Sequence, residues 1–138
     1  MIKRGKSKNV GTGQFGGMGI DIVDIPRFRK MLARLGDRFI DRIFLPSEKK
    51  YCGAKPSPWM HYAGRFTSKE AVAKAFGTGI GKELNWLDLE IICSDSKAPV
   101  VKLSPRAQRL ARRRRIKNVL ISISHTHAHT AAVALLVS

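Results

Sequence analysis

The sequence predicts an α+β domain in which helices pack on a largely antiparallel sheet. Short apolar alternations sit at residues 18–24, 86–93, 119–125 and 130–137, the period-2 pattern of half-buried strands. Helical periodicity fills the stretches between them, with cap signals at the ends. The order is strand, helices, hairpin, then helix and hairpin, so a helix–hairpin unit recurs as a pseudo-repeat. A length of 138 residues fits one domain with a real core.

The first strand, residues 18–24, places Met18, Ile20 and Ile22 on one face and Asp21 and Val23 on the other. Asp24 is an N-cap and Pro26 suits the first turn of a helix. In that helix Phe28, Met31, Leu32 and Leu35 form an apolar stripe at i, i+3, i+4 and i+7. Arg27, Lys30, Arg34 and Arg38 line another side without an acid among them, a ridge suited to an acidic partner. For any one of them, an ordinary solvated helix face explains as much.

Residues 41–58, with Pro46, Gly53, Pro56 and Pro58, read as a turn-rich connection. A second helix runs from about Met60 to Phe76 and ends at Gly77, a C′ glycine. After the strand over 86–93, Asp95 to Pro99 turn the chain and Val100 to Leu103 return it. Ser104-Pro105 caps a third helix. The strand over 119–125 and the last strand, 130–137, complete the set.

Residues 1–17 read as a basic, Gly-rich flexible extension ahead of a single domain over 18–138. The extension contains Gly11-Thr12-Gly13-Gln14-Phe15-Gly16, a G-x-G-x-x-G match. It precedes a strand instead of following one, so it is not a dinucleotide fingerprint. No apolar run reaches the roughly 18 residues of a membrane span, and the basic N-terminal stretch, which lacks an apolar run, does not read as a secretory signal. Cys52 and Cys93 lack metal-ligand spacing, and a reducing cytoplasm is the simplest setting for them.

Charge is the strongest bulk feature: 26 Lys and Arg against 10 Asp and Glu, net +16. Residues 1–17 carry four cations, and residues 106–117 carry seven, with no acid in either stretch. Such charge draws a polyanion: nucleic acid, a phosphorylated ligand or an acidic protein. Composition alone does not choose among them.

Three polar clusters interrupt the apolar patterns. Asp21 lies inside a strand, where a buried carboxylate needs a partner or a metal, although a capping or structural aspartate is an equal reading. Glu70 and Lys74 share a helix face at i, i+4, by itself the commonest helix surface pair. The following Gly77-Thr78-Gly79 can bring amides and a hydroxyl to a phosphate, although glycine ends many helices. The third cluster holds His125, His127 and His129. The turn breaks the common face that zinc would need, which leaves His125 as a single functional histidine.

Together these segments resemble the short, single-domain holo-acyl-carrier-protein synthases of the phosphopantetheinyl transferase family. The resemblance rests on Gly19-Ile20-Asp21-Ile22-Val23-Asp24-Ile25, on the segment from Gly64 to Gly79 (GRFTSKEAVAKAFGTG), and on Ile121-Ser122-Ile123-Ser124-His125-Thr126, in that order, over about residues 17–138. It implies a phosphopantetheinyl transferase-like fold and a Mg²⁺-dependent transfer of 4′-phosphopantetheine from coenzyme A to a serine of apo acyl carrier protein, in support of fatty acid biosynthesis. Asp21 and Glu70 would hold Mg²⁺ with the pyrophosphate, an ion that takes one or two carboxylates plus substrate phosphate oxygens. Lys74 would steady the developing charge or protonate the leaving group. Arg65 would hold the 3′-phosphate, with Gly77, Thr78 and His125 also at the coenzyme A site. Arg27, and with it Met31, Arg34 and Arg38, would dock the carrier. The family also implies a homotrimer with interfacial sites. A metal-bound water or a carboxylate could activate the serine.

The chain departs from the family at Ala98-Pro99, where a glycine often precedes the proline, and in the run Arg112 to Arg115. A nucleic-acid-binding domain is the second reading, argued from the net charge. It has no recognised reader motif and few aromatics for stacking, 7% of residues, so only nonspecific binding is expected. Another Mg²⁺-dependent phosphotransferase would keep Asp21 and Glu70 and change the acceptor.

Overall fold

A computed structural model describes residues 14–93 and 97–138. It contains β1 (Phe15–Asp24), α1 (Ile25–Ile43), α2 (Pro46–Gly53), α3 (Pro58–Phe76), a short 3-10 turn (Trp86–Asp88), β2 (Leu89–Cys93), β3 (Pro99–Leu103), α4 (Pro105–Arg113), β4 (Asn118–His125) and β5 (His129–Val137). The α+β architecture and the predicted element order hold. The two hairpins occupy separate sheets: β1-β5-β4 form one antiparallel sheet and β2-β3 the other.

Several boundaries differ from the sequence reading. β1 begins at Phe15, so part of the stretch assigned to the extension belongs to the strand. Residues 1–13, and Asp95 and Ser96 of the predicted turn, lie outside the described residues. The connection over 41–58 contains a helix, α2. Its prolines mislead because Pro46 and Pro58 each sit at a helix start, where a missing N–H costs nothing. Glu48, at the third helical position of α2, accepts from Leu45 N–H at 2.9 Å and caps that start.

The predicted caps form: Asp24 accepts from Arg27 N–H at 2.8 Å, Ser104 from Ala107 N–H at 3.1 Å, and Gly77 ends α3 at φ 73°. Gly36, at φ 63° and ψ −152°, breaks α1. Phe28 is buried, whereas Leu35, beside the break, is 43% exposed, so the apolar stripe ends before it.

α3 stands between two cores. Its C-terminal half packs with Leu84, Leu89, Leu110, Ala132, Ala134 and Leu136. Its N-terminal half meets Phe28, Phe44 and Cys52 of α1, its C-cap and α2. The helix is buried around most of its circumference, which accounts for the buried Thr67 and Ser68. Their hydroxyls donate back to the Ala63 and Gly64 carbonyls, each at 2.7 Å.

Lys69 is fully buried and joins these layers. Its ammonium donates to Glu48 Oε1 at 2.6 Å, to the Ile43 carbonyl at 2.6 Å and to the Trp86 carbonyl at 3.2 Å. Glu48 Oε2 in turn accepts from Ile91 N–H at 3.1 Å. Burial presses the Lys69 ammonium below its ordinary pKa and Glu48 pulls it back. Removing one partner leaves an uncompensated buried charge, which costs about 3–5 kcal/mol. Lys69→Met should therefore lower urea-unfolding stability by that amount, and adding Glu48→Gln should cost much less than its effect alone.

Candidate functional site

β1 and α3 approach unusually closely. A Cβ on Gly19 would lie 2.0 Å from the Ala71 carbonyl oxygen and 2.6 Å from Ala75 N, and one on Gly17 would lie 2.2 Å from the Ala75 carbonyl oxygen. Glycine is required at both points because any side chain would push the helix off the strand. The approach brings Asp21 to the outer turns of α3. Lys74 Nζ lies 3.0 Å from Asp21 Oδ1 and 3.1 Å from the Ile20 carbonyl. Glu70, one turn before Lys74, completes the cluster. Its carboxyl is held above the ordinary glutamate range by partial burial first and then by repulsion from Asp21, with Lys74 acting the other way.

Two carboxylates that repel each other beside a cation form a donor set with room for a second, harder positive charge. Among the described residues no three His, Cys, Asp or Glu side chains cluster as a metal site. The oxygen pair Asp21 and Glu70 suits an ion that draws its remaining ligands from substrate phosphate and water, as Mg²⁺ does.

The other predicted residues fall in different places. Gly77 and Thr78 lie just beyond the C-terminus of α3, with Gly77 and Gly79 both at positive φ. Arg65 is 7% exposed and its guanidinium covers the Tyr51 ring at 4.2 Å, while its Nε has no hydrogen-bond partner. His125 ends β4 on the side of His61, whose imidazole feels its charge. Arg65 precedes Glu70 by five residues and Lys74 by nine. At 3.6 residues per turn this rotates them about 140° and 180° around the helix. The metal-type cluster and the Arg65 cluster therefore occupy opposite sides of α3 within one chain.

Arg27, Met31 and Arg34 line a groove of about 610 Å³ whose walls include Ile22, Phe28 and Phe66. Arg38 lies beyond the break at Gly36 and does not line it. Sequence reasoning missed the Lys69–Glu48 pair, Tyr51 and His61.

The family model of the 4′-phosphopantetheinyl transferase superfamily matches residues 17–134. The chain belongs to that superfamily. The holo-[acyl-carrier-protein] synthase of Chlamydia trachomatis serovar D is 47% identical over 119 residues, 86% of this chain and 97% of the relative. The crystal structure of the Helicobacter pylori holo-[acyl-carrier-protein] synthase in complex with coenzyme A superposes with a TM-score of 0.77 at 39% identity, covering 88% of this chain and 99% of that one. The Neisseria meningitidis synthase gives 0.85 at 28% identity, covering 89% and 98%. The match spans β1 from Gly17 together with α1, α3 and β4, and so takes in every predicted site residue.

Because Glu70 is repelled and partly desolvated in the metal-free protein, its ionised form is a burden on the fold. Glu70→Gln is expected to raise the melting temperature measured without divalent ions at pH 7.5. Its raised pKa also sets a sign for metal binding. Protons compete for Glu70 at a higher pH than for an ordinary glutamate, so the affinity of a Mg²⁺ ion held there should begin to fall on acidification at a higher pH than it would for an unperturbed carboxylate.

Proposed function

We propose that this protein transfers the 4′-phosphopantetheine group of coenzyme A to a serine of an apo acyl carrier protein, with Mg²⁺, in support of fatty acid biosynthesis. The observation that carries the reading is the Asp21–Glu70–Lys74 cluster, built by the close packing of β1 on α3, in a chain of this superfamily. The serine hydroxyl gives its proton to a carboxylate or to water as its oxygen bonds to the β-phosphorus, the bond from that phosphorus to the bridging oxygen breaks, and adenosine 3′,5′-bisphosphate leaves. Asp21 and Glu70 would hold Mg²⁺, an ion that would supply charge neutralisation at the pyrophosphate and polarisation of the phosphoryl group. Lys74, fixed by Asp21 and the Ile20 carbonyl, directs its ammonium at the oxygen on which negative charge grows and can give it a proton. Gly77 and Thr78 line the pyrophosphate, and Arg65 and His125 hold the nucleotide end.

The carrier docks on the α1 groove. Arg27 and Arg34 meet its carboxylates, while Met31, Ile22 and Phe28 offer an apolar floor, an arrangement that couples charge steering to a desolvated anchor. Arg38 serves a peripheral role at most, since it lies past the helix break.

The assembly is a homotrimer with sites between copies. The outer face of β1 supports this: Met18, Ile20 and Ile22 are 71%, 63% and 66% exposed, and Leu120 and Val133 continue the apolar surface across the sheet. One coenzyme A cannot use both sides of α3 in a single chain, whereas a neighbour seated on the β1 face could present its Arg65 cluster to Asp21 and Glu70.

Intact-mass spectrometry of an apo acyl carrier protein with coenzyme A and Mg²⁺ should record the gain of one phosphopantetheine. EDTA should abolish it, and Glu70→Ala should lower the rate by at least about 10²-fold, the scale of one lost transition-state contact. Full activity in Glu70→Ala would refute the site assignment. Mixing and reassembling Glu70→Ala with Arg65→Ala protein should restore part of the activity, because some interfaces then pair an intact Glu70 with an intact Arg65. No recovery would place both residues in one chain's site.

A further inference from the structure

The side of α3 that carries Arg65 holds more cationic groups than the proposed function uses. His61 lies one turn before Arg65 on the same helix face, and its ring meets the edge of Tyr51 at 5.9 Å between centroids. Lys55, from the connection after α2, brings its ammonium to 4.6 Å from the same tyrosine ring that Arg65 covers. Tyr51 itself is held by a contact of 3.6 Å between its hydroxyl and Cys93 Sγ. Arg65 is more than nine-tenths buried with Nε unpartnered. Three groups that are or can become cations thus gather on one aromatic platform.

We propose that Lys55, His61 and Arg65 form a phosphomonoester site around Tyr51, in which His61 takes up a proton as the phosphate binds. The inference rests on the transferase reading, under which the phosphomonoester is the 3′-phosphate of coenzyme A. It assigns that group two further ligands and couples its binding to protonation.

The electrostatics support the coupling. The His61 imidazole is held below its ordinary pKa by burial first, then by the charges of Lys55, Arg65 and His125. These groups come from the α2–α3 connection, from α3 itself and from the end of β4, with the neutral Tyr51 facing from α2. His61 therefore holds a proton less readily in the free protein than an ordinary imidazole does. A dianion placed among these cations reverses the local potential, and the imidazolium then gains a charge-assisted hydrogen bond. The sign follows: coenzyme A binds with net proton uptake, and its affinity falls as pH rises.

Isothermal titration of the full chain with coenzyme A at pH 7.0, in buffers of different ionisation enthalpy, measures this directly. Wild-type protein should take up a fraction of a proton per coenzyme A, and its affinity should fall by about tenfold from pH 6.5 to 8.5, the scale of one charge-assisted hydrogen bond. His61→Phe, which keeps the aromatic contact with Tyr51, should lose both the uptake and the pH dependence. Binding of 3′-dephospho-coenzyme A should show neither in wild-type protein. Lys55→Gln should weaken coenzyme A binding and keep the proton uptake. Unchanged uptake in His61→Phe, or equal uptake with 3′-dephospho-coenzyme A, would overturn the proposal while leaving the transferase reading intact. Failure of wild-type protein to bind coenzyme A at all would overturn the transferase reading and this inference with it.

Discussion

The architecture depends on how closely β1 lies against α3. Gly17 and Gly19 let the strand backbone come into contact with the helix backbone, at distances where a single methyl group would collide with the Ala71 and Ala75 main chain. Everything at the Asp21 cluster follows from that contact. A strand carboxylate and two helix side chains, remote in sequence, become neighbours because neither element carries bulk between them. The small residues Ala71 and Ala75 belong to the same constraint, since they form the helix surface on which the strand rests.

A second constraint fixes the orientation of α3. The Lys69 ammonium ties the last residue of α1, the carboxylate of α2 and the turn before β2 to the middle of the helix. An apolar residue could fill the volume but could not satisfy the Ile43 and Trp86 carbonyls at once. Through this junction the α1 groove and the Glu70 face keep a defined relation, because Lys69 and Glu70 are adjacent on one rigid helix. Stability and geometry around this junction are therefore hard to separate by mutation near Lys69, and Glu70 shows the opposite balance, with a partly buried charge that its Asp21 neighbour repels.

Helical geometry also explains the open sheet. Arg65 and Glu70 point to opposite sides of α3, which is the geometric ground for the two-copy site of the proposed function, and the outer face of β1 remains an exposed apolar surface. The same strand presents Asp21 to the helix on one face and Ile20 and Ile22 to solvent on the other. Period-2 alternation thus links the carboxylate cluster to the exposed apolar patch through consecutive residues.

Local patterns in the sequence were enough for most elements. Asp24 with Pro26, Ser104 with Pro105, and Gly77 each set a helix end through bonds confined to a few residues, so they could be recognised without tertiary information. The motif around Glu70 and Lys74 was legible for the same reason, since helical spacing alone puts the two on one face. α2 was hidden because prolines at helix starts and prolines in turns look alike until the chain is folded. The outward direction of Met18, Ile20 and Ile22 was hidden because alternation defines two faces without saying which meets the core. Lys69, Glu48, Tyr51 and His61 were invisible as a group because their partners lie on different elements. The sequence by itself determined the strands, the helices other than α2, the caps and the list of candidate site residues, all matters of short-range bonding and period. Only the tertiary structure decided which of those residues meet, because that depends on backbone approach at Gly17 and Gly19 and on the rotation of one helix between two cores.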